Sequence, residues 1–221
     1  MKHRFYEKNE SDQKRVLWKI GALLFALCSA ILAIIYLTGL FFLIFLIPVL
    51  ILITAPFLDL PMGKKSGKFI YYSPLFITEK ERNNRVTIHG GTLFDYLYTI
   101  PPEMQGRERT QCVLYGYVSG LINFISQHEN QNKDNLNVRG TSYIINRRTA
   151  TRFGFKPVKK DFLQVLILLF NYIPITLSTS FLKQKLQFPK ISDVQTYEAT
   201  FSKIEANKKE LIRLKDRLKP E

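Results

Sequence analysis

The sequence predicts a membrane protein: a two-helix transmembrane hairpin, then a small cytosolic α+β domain with a central mixed sheet and a C-terminal amphipathic helix. Three observations carry that prediction. No charged residue occurs from Ile20 to Leu58. Lys and Arg cluster on both sides of that run. Short β-branched and aromatic stretches then alternate with segments of helical period.

The uncharged run covers 39 positions, nearly twice the ~20 residues that cross a hydrocarbon core about 30 Å thick. Two back-to-back helices therefore fit better than one. Thr38-Gly39 supplies the break, giving spans of roughly Lys19–Leu37 and Leu40–Leu58 within a hairpin of residues 19–58. Pro48 and Pro56 are tolerated there because membrane helices re-satisfy the freed backbone groups. The run is too long for a cleaved signal segment, and no small-residue cleavage site precedes a soluble region.

Residues 1–18 read as a basic cytosolic terminus. Lys2, Arg4, Lys8, Lys14, Arg15 and Lys19 precede the first span, and Lys64, Lys65 and Lys68 follow the second. The positive-inside bias puts both ends of the hairpin in the cytosol. This describes a multi-pass protein of a bacterial inner (cytoplasmic) membrane. The net charge of +14 is explained by attraction to anionic lipid, worth about 1 kcal/mol per Lys or Arg at the surface. Nucleic acid is therefore not an expected partner; membrane lipid is. Cys28 lies in the first span and Cys112 in a cytosolic helix, so no disulfide framework is expected. Neither has a neighbouring His, so no metal site is expected.

Across residues 64–160 the elements run in the order β-β-β-α-β-α-β. Phe69–Thr78 reads as one strand, and Arg85–Ile88 as a second that resumes at Thr92–Ile100 after a His89-Gly90-Gly91 interruption. Arg109–Gln127 is a helix whose apolar face carries Val113, Tyr117, Leu121, Phe124 and Ile125. Residues 129–135 form a loop. Asn137–Ile145 is a strand, Arg147–Phe153 a short helix closed by Gly154, and Phe155–Val158 a last strand. Residues 161–183 are apolar enough to cross a membrane, but Gln164, Asn171 and Pro174 interrupt them. Crossing would also export the basic tail, so an element in the interface, or packed on the hairpin's cytosolic end, is preferred. Residues 192–219 read as an amphipathic helix capped by Ser192 and Gln195. Val194, Tyr197, Phe201, Ile204, Leu211 and Leu218 form its seam, which either packs on its own domain or joins subunits. A homo-oligomer through the hairpin or this helix is the expected assembly.

Two motifs fail on spacing. Gly63–Lys68 is too short for a phosphate loop and has no Ser or Thr after the lysine. His89-Gly90-Gly91 suggests an oxyanion segment, yet Ser119 stands one position away from a nucleophile elbow and inside a helix. A strand bulge is the simpler reading of the two glycines.

The order Thr92–Ile100, Pro101–Arg109, helix, Asn137–Ile145, Asn146–Val158 resembles the second half of the GNAT superfamily of acyltransferases. Asn146, Ala150, Gly154 and Phe155 carry the closing part of that likeness, which covers Val86–Val158. The resemblance implies that Gln105, Gly106, Arg107, Arg109 and Thr110 form a turn holding the pyrophosphate of an acyl-CoA cofactor at a helix N-terminus. It also implies His89 or Asp95 as general base and Tyr117, or Tyr115, as a donor to the leaving thiolate. Glu108 and Thr110 stand where the family has glycines, and a carboxylate there repels a pyrophosphate. The family's first half has no counterpart. The sequence thus supports a non-catalytic, membrane-anchored binding or assembly module with no cofactor. Its alternative is a membrane-tethered acyl-CoA-dependent acyltransferase acting on a lipid-linked or membrane-surface acceptor.

Overall fold

The computed structural model describes residues 1–131, 133–159 and 162–219. Asn132 of the expected loop, and Lys160 and Asp161 where the α+β domain was to meet the apolar element, lie outside the described residues.

Helix α1 (Glu10–Thr38) begins well before the uncharged run, because Asn9 accepts a bond from the Asp12 amide and caps it. At 29 residues it is about 43 Å long. Gly39 ends it in the left-handed conformation, φ 69°, which costs glycine nothing. A 3-10 turn (Phe41–Phe45) leads into α2 (Leu46–Lys65), which continues seven residues past the expected end at Leu58. Both segments are long and apolar enough to cross a membrane. Trp18, Phe25 and Tyr36 are 75–87% exposed, so this apolar surface is not covered by the protein itself. Among the described residues no other helix has that length and hydropathy.

Strand β1 (Phe69–Ser73) and β2 (Phe76–Glu79) form a hairpin where one strand was expected. Pro74 has no N–H to give to a ladder and breaks the run. Strand β3 is Arg85–Gly90. The expected third strand, Thr92–Ile100, is instead helix α3 (Leu93–Thr99). A reciprocal cap between Thr92 and Asp95 starts it, and this local bonding overrides the β-propensity of its aromatic residues. The two glycines are accordingly a strand end and a connection, not a bulge.

Helix α4 (Gly106–His128) buries the predicted face in the main core. Then come β4 (Asn137–Ser142), α5 (Arg147–Arg152), β5 (Lys156–Val158), α6 (Phe162–Phe170) and α7 (Tyr172–Lys183). Helices α6 and α7 are each too short to span a bilayer. Helix α7 packs on α2, α3 and α4, at the end of the hairpin.

The tail corrects the sequence reading. Gln195–Thr200 is strand β6, followed by α8 (Phe201–Ala206) and α9 (Lys208–Leu218). Thr196 and Tyr197 are buried in the sheet between β4 and β5. The Ser192 hydroxyl donates to the Asp193 carboxylate, and the residues it was to cap form a strand, so the expected cap is absent. Phe201, Ile204 and Leu211 are buried in the domain's own core and α9 lies on α4.

The six strands run in the order β1-β2-β3-β4-β6-β5. Only β3–β4 is parallel, making the sheet mixed. One face, through Tyr72, Phe76, Val86 and Val138, packs on α4. The other faces the hairpin end through Ile77, where Phe5, Leu60 and Phe94 form a second core.

The N-terminus, read from sequence as a basic tail, closes this second core. Phe5 is fully buried, and Arg4 donates to the carbonyls of Leu97, Tyr98 and Ile100 at the end of α3. Residues before α1 thus touch the domain after α2, so both ends of the hairpin lie together.

Candidate functional site

Period two along β3 sends Val86 and Ile88 to the α4 core and His89 to the opposite face. His89 opposes Ile77 across the ladder, which places Glu79 on the same face of β2. His89 Nε2 and Glu79 Oε1 are 3.0 Å apart, with both side chains 43% exposed. The hydrogen bond from His89 holds the Glu79 carboxyl below the usual range, against the opposing effect of burial.

His89 lines a cleft of about 400 Å3. Helix α2 supplies one wall through Ile53, Pro56 and Leu60. The sheet end supplies the floor through Gly90, Gly91 and Thr141–Tyr143, and α6 and α7 close the far side through Leu168, Asn171, Ile175 and Ser178. The lining is mostly apolar, with the His89 imidazole and the Thr141, Ser142 and Tyr143 side chains at the floor and the Asn171 amide on the far side. Among the described residues no Lys, Arg, Asp or Glu lines it.

Tyr117 enters this cleft from α4. A Cβ at residue 90 would lie 1.4 Å from the Tyr117 hydroxyl oxygen, so only glycine admits the phenol there. Burial raises the Tyr117 hydroxyl well above the ordinary phenol range and pushes Tyr143 up to about 12. Both therefore remain protonated near neutrality and can donate. The Tyr143 and Tyr96 hydroxyls are 3.3 Å apart.

Of the sequence-predicted residues, the cleft unites His89 and Tyr117 but not Asp95. That carboxylate is fully buried in α3, not on a strand. Its Oδ2 accepts from the Thr92 amide at 2.8 Å and the Thr92 hydroxyl at 3.0 Å. Its Oδ1 accepts from Tyr71 at 3.0 Å and lies 3.3 Å from His3 Nε2. Tyr6 donates to Tyr71 at 3.1 Å, and Lys64 stands 3.5 Å over the Tyr6 ring. Sequence reasoning missed His3, Tyr6, Lys64 and Tyr71 as a cluster, because 92 positions separate His3 from Asp95.

The predicted cofactor turn opens α4, away from the cleft. Gln105 and Glu108 cap one another, Gln105 N donating to Glu108 Oε2 at 2.7 Å. The protein's own carboxylate thus occupies the helix N-terminus. Arg109 is turned inward: its guanidinium donates to the carbonyls of Pro102, Met104 and Phe181 and stacks on the Phe181 ring. Gly106, Arg107 and Thr110 border an open groove with Lys183 and Arg217. The groove is basic, but two amides of the turn are already capped, that of Gln105 by the Glu108 carboxylate and that of Glu108 by the Gln105 side chain. Among the described residues no group of three His, Cys, Asp or Glu is placed to hold a metal ion.

No family model, no curated protein and no solved structure matches this chain.

Proposed function

We propose that the chain is a non-catalytic, membrane-anchored module that binds a lipid at the cytosolic surface of a bacterial inner membrane. One observation carries this reading. The 400 Å3 cleft has α2, a candidate span, as a wall and convergent polar groups at its floor, the usual composition of a small-ligand site. A lipid entering beside α2 keeps its chain against apolar side chains and brings its polar part to His89, Tyr117 and Tyr143. Lys64, Lys65 and Lys68 sit where α2 meets β1, and they favour the leaflet rich in anionic lipid. The contact between residues 1–6 and the domain supports both ends of the hairpin facing the same side.

Native mass spectrometry of the full chain released from detergent tests this. The expected result is a species heavier by one lipid, lost in Ile175→Trp, which fills the cleft. Absence of any bound lipid after extraction from native membranes, and after incubation with total bacterial lipid, overturns the reading.

A second reading is favoured by a specific feature: the His89–Glu79 pair, 3.0 Å apart, lies beside protonated tyrosines. A carboxylate orienting an imidazole is the arrangement of a general base, and it supports a membrane-tethered acyltransferase using acyl-CoA. Transfer of labelled acyl groups to membrane lipid, abolished by His89→Gln, would establish it.

A further inference from the structure

The cleft ends at a wall formed by Gly90, Tyr117, Thr141 and Ser142. The same four residues line a second cavity of about 70 Å3 on the core side of the sheet. Phe76, Leu121, Ala150, Phe153 and Phe155 complete this inner space. Most of the surface facing this space is apolar, which favours an apolar occupant. The wall is thin at one point. Because residue 90 has no side chain, the Tyr117 hydroxyl itself fills the place of a Cβ, and a change of the whole side-chain rotamer, rather than a ring flip, moves it aside.

The charge pattern narrows the ligand. Among the described residues neither cavity is lined by Lys, Arg, Asp or Glu, and the imidazole of His89 already faces Glu79. A phosphate or carboxylate carried to the wall would lose its hydration and gain no cation. An uncharged polar link with apolar groups on both sides fits instead.

We infer that the two cavities together bind one uncharged lipid ester. Its long alcohol chain lies in the outer cleft against α2 and α6. Its carbonyl oxygen sits at the wall and accepts from Tyr117 or Tyr143, and its short acyl group enters the inner cavity. At roughly 10–15 Å3 per water-sized group, the inner cavity of about 70 Å3 admits about five to seven non-hydrogen atoms, so a short acyl group fits and a long one does not. This assignment rests on the cleft being a lipid site.

The experiment compares thermal stabilisation of the purified full chain, held in a steroid detergent so that no alkyl chain competes. The probes are dodecanol, dodecyl acetate, butyrate and octanoate, and dodecyl phosphate. Butyrate is expected to bind about tenfold or more tighter than acetate, the scale of a methylene or two in an apolar pocket. Octanoate and the phosphate should bind more weakly. Ala150→Leu, which fills the inner cavity, should move the preference from butyrate to acetate. Gly140→Ala, which adds one methyl group to the same lining, should do so more mildly if Ala150→Leu fails to fold. Equal binding of dodecanol and all esters, unchanged in both variants, overturns the inner-cavity assignment but leaves the lipid cleft standing. Tightest binding by dodecyl phosphate overturns the uncharged link. No stabilisation by any probe, with no lipid retained from native membranes, overturns the cleft reading as well.

Discussion

Asp95 and Glu79 each lie beside a histidine, and the two pairs occupy opposite environments. Asp95 and His3 are sealed, with side chains 0% and 4% exposed. Both Asp95 oxygens are engaged by Thr92, Tyr71 and His3. Glu79 and His89 are half open at the edge of a cleft. A buried carboxylate with all its acceptor positions engaged tethers the elements around it, here the N-terminus, β1 and α3. A half-exposed pair adds little stability, but it presents polar groups to whatever enters the cleft. The same residue types therefore form a sealed clasp in one place and an open pair at a cleft in the other.

Breaking the clasp should have the largest effect. Asp95→Ala strands His3 and Tyr71 and removes the cap of α3; the expected loss is about 3–5 kcal/mol, read by denaturant unfolding in detergent. Phe5→Ala opens the second core beneath the same clasp, and a loss of about 3–4 kcal/mol is expected. If truncation of residues 1–6 leaves the unfolding midpoint unchanged, the clasp is misassigned. Arg109→Lys removes a fork that holds three carbonyls and ties α7 to α4; about 1–3 kcal/mol should be lost. That variant should leave ester binding in the cleft intact.

The smallest effect belongs to the open pair. His89 keeps the Glu79 carboxyl below its usual range. Glu79 therefore contributes stability above the unfolded-chain value near pH 4.3, and this is lost as pH falls through the depressed value. For a pair this exposed the contribution is well under about 1 kcal/mol. Melting midpoints from pH 6 to 3 should fall slightly less steeply in Glu79→Gln than in the unaltered chain. His89→Gln should weaken ligand binding at neutral pH while leaving the melting midpoint within a degree or two. A large stability loss in that variant would erase the contrast between the two pairs.

Much of the architecture could be read from local pattern. The uncharged run, its break at Gly39, the α4 face and the short helix α5 that stops before Gly154 all follow from neighbours in the chain. The misread elements are those where two local signals compete. Thr92–Ile100 has strand-like composition but a Thr–Asp cap, and the cap prevailed. Gln195–Thr200 continues a helical seam but meets two strand edges, and pairing prevailed. Of the site, His89 and Tyr117 were visible as candidates. Their meeting was not, because Gly90 admits the Tyr117 hydroxyl only through a contact spanning 27 positions.

Hydropathy and charge sufficed to determine a hairpin long enough for a bilayer and a basic border on each side of it. These are sums over adjacent residues, and adjacency is what a sequence records. Tertiary structure alone decided that the first six residues close a core, that the tail completes the sheet, and that two cavities meet at Gly90. Each of these depends on burial and hydrogen bonding between segments far apart in the chain, whose free energy exists only once the fold has brought them together.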